Sequence, residues 1–262
     1  MTTGTPIKFE DGEAYERMMG QWSRLAGEIF LDWLAPTNGL RWVDVGCGTG
    51  AFSELVLQRC APASLDGFDP SGGLLAYARK RLEGRAHVRS GDAMAAPYPD
   101  NSFDAAAMAL VIFFVPEPAR GVAEMARIVR PGGLVAAYAW DMMGGGFPLN
   151  ALIESMREMG LNPPRPPRSD ASTLDALRAL WTGAGMVDVQ TRTIELEREL
   201  SFEELWRGAV ESASLGGTVK SLDAAGTVEL QQRYLSKMPK ARDGLLTCRA
   251  RANAVRGTVA GK

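Results

Sequence analysis

The chain is poor in imidazole and thiol: it has one histidine, His87, and three cysteines, Cys47, Cys60 and Cys248. No His/Cys cluster falls at metal-ligand spacing, and an odd cysteine count makes no disulfide framework. No metal is therefore expected, and free thiols suit a reducing, cytoplasmic setting. A surplus of positive charge is also missing. The 29 Lys and Arg face 31 Asp and Glu, a formal net charge of −2, which argues against a nucleic-acid partner. The longest apolar run, Ala105 to Val115, is too short to span a bilayer. Residues Met1 to Lys8 show no apolar stretch of the secretory kind. Oligomeric state is not legible here.

With 262 residues, 46% of them hydrophobic, the chain can bury one large core, with or without a lid. Its most informative segment is Trp42-Val43-Asp44-Val45-Gly46-Cys47-Gly48-Thr49-Gly50, an apolar strand breaking into a glycine-rich turn. Glycine lets the backbone pass close to a ligand and take positive φ. Two acids follow at strand-like intervals, Asp69 in Gly67-Phe68-Asp69-Pro70-Ser71 and Asp92 in Ser90-Gly91-Asp92-Ala93. An acid at the tip of the next strand suits a ribose diol, and a third carboxylate can accept from an exocyclic amine. The pattern describes a pocket for an adenosine-bearing cofactor. The turn reads Gly-x-Gly-x-Gly rather than the dinucleotide Gly-x-Gly-x-x-Gly. No Lys or Arg flanks it to meet a pyrophosphate, and Asp44 at its start suits a cationic group. S-adenosylmethionine, with an ammonium, a sulfonium and no phosphate, fits that combination.

Over residues 38–141 the chain resembles the class I S-adenosylmethionine-dependent methyltransferases, most of all the type 11 domain, whose relatives include ubiquinone and menaquinone C-methyltransferases. Val43 to Gly50 resembles the first motif of that family. Phe68-Asp69-Pro70-Ser71 looks like its ribose-binding acid and Gly91-Asp92-Ala93 like its adenine-binding step. Pro97 to Asp104 resembles the lead into its fourth strand, and Val129-Arg130-Pro131-Gly132-Gly133 the turn into its fifth. Many relatives carry a His-His pair after the fourth strand. Here Ile112-Phe113-Phe114-Val115 stands instead, so imidazole base chemistry is not expected there.

Elements alternate as in a parallel sheet with right-handed crossovers. Expected strands are Arg41 to Val45, one ending at Asp69, His87 to Ser90, Asp104 to Leu110, Leu134 to Trp140, Met186 to Leu200 and Leu245 to Val259, the last antiparallel as the resemblance implies. The fold class is thus α/β, a Rossmann-like doubly wound seven-stranded sheet with helical lid insertions. Expected helices run from Glu13 to Leu34, Ala51 to Cys60, Ser71 to Leu82, Pro118 to Val129, Phe147 to Gly160, Ser172 to Ala184, Phe202 to Ser212 and Leu222 to Met238. Residues 1–37 read as a helical cap, 38–141 as the cofactor-binding core, and 142–262 as the rest of the sheet with lids at 142–170 and 201–243. Pro163 to Arg168 reads as a stiff exposed linker, and Gly144-Gly145-Gly146 as a hinge freeing the lid.

Expected cofactor contacts are Asp44, Gly46, Cys47, Gly48, Gly50, Asp69, Pro70, Asp92, Ala93, Met94, Ala109 and Leu110. From the first helix, which runs back toward the carboxyl ends of the strands, they include Tyr15, Met19 and Trp22. Phe113, Phe114, Trp140, Met143 and Phe147 are expected around an apolar acceptor. Asp141 is the expected proton acceptor, ahead of Tyr138 and Tyr15; His87, at the far end of strand three, reads as structural. The expected reaction is methyl transfer to a small, partly apolar molecule by in-line displacement. An NAD-dependent oxidoreductase and a non-catalytic S-adenosylmethionine-binding regulatory domain are the alternatives.

Overall fold

A computed structural model describes residues 19–212 and 214–261. Seven strands form one sheet in the order β3-β2-β1-β4-β5-β7-β6. They are β1 (Arg41–Val45), β2 (Ser64–Asp69), β3 (His87–Ser90), β4 (Phe103–Ala109), β5 (Val129–Trp140), β6 (Met186–Leu200) and β7 (Leu246–Val259). β1 to β5 pair in parallel, and β7 runs antiparallel to both β5 and β6. Central strands covered on both faces need continuous apolar sequence. Trp42, Val43 and Val45, interrupted only by the buried acid Asp44, and Ala105 to Met108 supply it and are buried.

The helices are α1 (Gln21–Leu34), α2 (Ala51–Arg59), α3 (Gly72–Leu82), α4 (Pro118–Ile128), α5 (Asn150–Glu158), α6 (Leu174–Gly183), α7 (Phe202–Glu211), α8 (Gly216–Lys220) and α9 (Ala224–Lys237). α1, α2 and α3 pack in sequence with one another, and α4 packs with α6, as right-handed crossovers on opposite faces demand. Start signals are local. Ser71 caps α3 by accepting from the Leu74 N–H, Pro118 occupies the first turn of α4, and Ser201 and Glu204 form a capping box on α7.

Several boundaries differ from expectation. Pro131-Gly132-Gly133 stops α4 but lies inside β5, where Val129 already pairs with Phe103 across a register shift. α6 starts at Leu174 because Thr173, not Ser172, accepts from the Ala176 N–H. The short helix α8 has no counterpart among the expected elements. The part of the first helix expected before residue 19 lies outside the described residues.

β6 and β7 outrun the rest of the sheet. Trp140 lies level with Ala252 and Ile194, yet the pairing continues to Leu200 and Leu246, about 20 Å further at ~3.3 Å per residue. The ribbon projects past the carboxyl end of β5, so the helices of 201–243 join it at the same end as the glycine turn. α9 packs against α5, with Lys237 bonded to Glu158 at 2.7 Å. At the opposite, amino end, Asp104 clasps Arg41 and Arg130 at 3.0 and 2.6 Å, joining three strands. No described helix is long and apolar enough to cross a membrane.

Candidate active site

The glycine loop begins where β1 ends. Gly46 takes φ +74°, and a Cβ there would lie 2.7 Å from both Val111 methyls. Only glycine lets this turn meet the segment after β4. The N–H groups of Gly46 and Cys47 both donate to the Phe68 carbonyl, at 2.8 and 3.1 Å. The loop is therefore tied to the end of β2, where Asp69 stands. Beyond β4, Leu110 is held at φ +62°, a costly conformation for a bulky residue, with its N–H on the Tyr138 carbonyl at 2.8 Å.

Each of the three acids has a distinct setting. Asp69 accepts the Ser71 N–H on Oδ1 at 2.8 Å and the Gly48 N–H on Oδ2 at 3.0 Å. Burial raises its pKa, and those two donors oppose the rise. Asp44 is 1% exposed. Its Oδ2 accepts from the Ser53 hydroxyl at 2.6 Å, while Oδ1 is buried with no hydrogen-bond partner. Burial pushes its pKa up to about 7, with Ser53 opposing and the Asp69 charge adding. Asp92 accepts the Met94 N–H on Oδ1 at 2.8 Å, closing a tight turn. The Cys47 thiol is driven upward by burial and then by the charges of Asp44 and Asp69. It stays protonated, so it is no nucleophile.

These groups face one cavity of about 1390 Å³. Of the residues expected at the cofactor, Asp44, Gly46, Cys47, Gly48, Asp69, Pro70, Asp92, Ala93, Ala109 and Leu110 line it; of those expected at the acceptor, Phe114 and Met143 do. Gly50 and Met94 stand just behind the wall, as the cap of α2 and the closure of the Asp92 turn. Met19 and Trp22 are buried instead of lining the cavity. Trp22 faces the β6–β7 ribbon, where the Arg198 guanidinium sits 5.2 Å from its ring centre. Tyr15 lies outside the described residues. Phe113, Trp140 and Phe147 pack into the core rather than the cavity wall.

Asp141 does not fit the role of proton acceptor. It lies outside the cavity wall and both oxygens of its carboxylate are held within the protein. Oδ2 takes the Arg251 guanidinium at 2.7 and 2.9 Å, and Oδ1 takes the Gly144 N–H at 2.8 Å. The neighbouring glycines are no hinge. A Cβ on Gly146 would lie 2.3 Å from the Arg251 carbonyl, and the Gly146 N–H and carbonyl bond Asp141 and Arg251 at 2.7 and 2.8 Å. Glycine is needed there for close approach, which pins the turn.

Two parts of the wall are absent from the sequence-based expectations. Ser23 and Arg24 of α1 line the cavity; a search for apolar periodicity passes over such polar positions. The proline-rich segment is not an exposed linker: Asn162 to Pro167, Ser169 and Asp170 form a second wall facing the strand ends. It is fastened there by the Arg168 N–H on the Phe113 carbonyl at 3.0 Å and the Arg168 guanidinium on the Pro116 carbonyl at 3.1 Å. The loop is also less free of cations than its sequence neighbours suggest. Arg81 reaches Thr49 Oγ1 at 3.4 Å from α3, though it lies outside the cavity wall. Among the described residues no His, Cys, Asp and Glu cluster could hold a metal ion.

Residues 43–137 match the family model described as "Methyltransferase domain". A ubiquinone/menaquinone biosynthesis C-methyltransferase of Roseobacter denitrificans is 34% identical over 125 residues, covering 46% of this chain and 50% of that protein. The chain thus spans about half the length of the curated relatives it matches. The YcgJ protein of Bacillus subtilis shares the fold with a TM-score of 0.61 at 15% identity, covering 90% of this chain and 99% of that one. A phosphoethanolamine N-methyltransferase of Haemonchus contortus, solved in complex with S-adenosyl-L-methionine, has a TM-score of 0.58 at 19% identity, covering 95% and 56%. Motif, topology and sequence relatives agree over residues 43–137, the stretch of the chain that matches a methyltransferase domain.

Proposed function

We propose that this chain binds S-adenosylmethionine and transfers its methyl group to a small, partly apolar acceptor. One observation carries the reading. Asp44, Asp69 and Asp92, at or just beyond the carboxyl ends of β1, β2 and β3, line a single cavity whose cations belong elsewhere, Arg24 to α1 and Arg165 to the second wall. Acids without a basic cradle suit a cationic nucleoside and disfavour a pyrophosphate.

The residues fit that group. The partnerless Asp44 Oδ1 is a place for an ammonium donor, with the backbone near Met108 to Leu110 following Ala107, the residue paired with Asp44 on the neighbouring strand β4. Asp69 keeps lone pairs for the ribose hydroxyls, Asp92 for the adenine amine, and the Ala93 amide for a ring nitrogen. The cofactor supplies an electrophilic methyl group whose leaving group is neutral. A cavity of about 1390 Å³ exceeds the ~300–1,000 Å³ of an ordinary ligand pocket and leaves room for a second molecule. Phe114, Val111 and Met143 offer it an apolar surface. With Asp141 engaged, the chain contributes chiefly orientation and exclusion of water, which can supply on the order of 7–11 kcal/mol. A small-molecule acceptor also suits the relatives' quinone chemistry, and three free, buried thiols suit a cytoplasmic setting.

The test combines thermal stabilisation with label transfer. S-adenosylhomocysteine should raise the melting temperature and NADH should not; the reverse would favour the oxidoreductase. Transfer of labelled methyl to any member of a small-molecule panel separates an enzyme from a non-catalytic binding domain.

A further inference from the structure

The proline-rich wall carries a cation with no counter-charge among the described residues. Arg165 stands in Pro163-Pro164-Arg165-Pro166-Pro167. Proline fixes its own φ and restricts the residue before it to extended conformations, so the Arg165 backbone is preset. Of the two cations lining the cavity, Arg24 is engaged, with Glu28 at 3.0 Å and the Gln58 side-chain amide oxygen at 3.2 Å. The adjacent Arg168 takes Asp170 at 3.1 Å. Arg165 has a different neighbour: its Nη2 lies 3.6 Å from the Met143 sulfur, a weak acceptor. No described carboxylate pairs with it. An exposed guanidinium at the rim of a wall of proline, methionine and phenylalanine is matched by a molecule with an apolar body and one anionic oxygen group, because its planar fork takes a carboxylate by two parallel bonds.

We propose that Arg165 selects the acceptor by its charge, and that the acceptor class is a small apolar acid. Its carboxylate sits on Arg165 and its hydrocarbon body against Phe114, Met143 and the prolines. The proposal rests on the methyltransferase reading and adds the substrate class to it. It also fits a site in which Asp141 stands outside the cavity wall, since an acceptor held by a charged handle is oriented without that base.

The test uses the full chain saturated with S-adenosylhomocysteine and two probes of nearly equal shape, 2-naphthoate and 2-naphthamide, titrated calorimetrically at neutral pH. Wild type should bind the acid at least about tenfold more tightly than the amide, the scale of one charge-assisted bond. Arg165→Gln should remove that preference while leaving naphthamide and S-adenosylhomocysteine affinities within about twofold. Arg165→Lys should restore part of it. Equal binding of acid and amide by wild type, no binding of the acid, or a preference surviving in Arg165→Gln would each overturn the proposal. Failure to bind S-adenosylhomocysteine, with the Arg165-dependent preference intact, would instead sink the methyltransferase reading.

Discussion

The Ser53 hydroxyl donates to one oxygen of Asp44 at 2.6 Å, and the other oxygen, equally buried, has no donor. A carboxylate held half-satisfied out of water is costly as an ion unless a cation arrives. Its pKa of about 7 in the cofactor-free fold lies above the unfolded value of about 3.9. The stability this group contributes is therefore fully present below about pH 4 and lost as pH rises through about 7. Cofactor affinity has the opposite slope, because the ionised form pairs with the ammonium. Between pH 5 and 8 the melting temperature of the free protein should fall through this group while S-adenosylmethionine affinity rises. Asp44→Asn should flatten both curves, and Ser53→Ala should move both inflections to higher pH. Parallel slopes in wild type would sink the assignment.

Asp69 holds the loop as well as facing the cavity, since it accepts from Gly48 and Ser71. Asp69→Ala should weaken S-adenosylmethionine binding at least tenfold, at roughly 1.5–3 kcal/mol per charge-assisted bond. Asn keeps one acceptor oxygen, which alone suggests a milder loss. The geometry says otherwise, because its amide must turn an N–H toward one of two backbone N–H groups. Asp69→Asn should fall within about threefold of Asp69→Ala by calorimetry; near-wild-type affinity would contradict the double-acceptor geometry.

Asp141 is bonded to Arg251 and Gly144, the geometry of a structural staple. Asp141→Ala leaves a half-exposed Arg251 and an uncapped Gly144, a loss of about 1–3 kcal/mol. Chemical denaturation should show that loss, with S-adenosylhomocysteine affinity unchanged and kcat within about threefold at a permissive temperature. A hundredfold fall in kcat with normal stability would restore Asp141 as a base.

Two glycines should respond in opposite directions to alanine. Gly146→Ala drives a Cβ to 2.3 Å from the Arg251 carbonyl and should destabilise by more than about 1 kcal/mol. Gly72, in the first turn of α3, has open space where a Cβ would stand and no positive φ. Gly72→Ala should stabilise by about 0.4–1 kcal/mol, read from the denaturation midpoint.

What the sequence made legible follows the range of the signals. The expected loop and strand-end residues from Asp44 to Leu110 that do line the cavity are placed by glycine and acid spacing within one βα unit and the next. β6 is visible from alternation, whereas β7 is visible only as an extended segment whose antiparallel direction the family resemblance implies. Asp141 misleads because its partner, Arg251, is brought beside it only by the β5–β7 register. Register is set by long-range packing, not by the residues next to Asp141. The prolines mislead for a related reason. Composition gives the stiffness of 163–168 but not its docking on Phe113 and Pro116. Ser23 and Arg24 escape because polar residues on an amphipathic helix carry no periodic signal of their own.

The family match ends at residue 137, while the wall bearing Met143 and residues 162–170 lies wholly beyond it. The larger part of the cavity wall thus lies within the matched domain, and a smaller part lies outside it. The second wall rests on the first through a few backbone contacts, the Arg168 N–H and guanidinium on Phe113 and Pro116, rather than through a shared strand. Exchanging 142–170 with a relative's segment should change which molecule is accepted and leave the shared cofactor chemistry as it was.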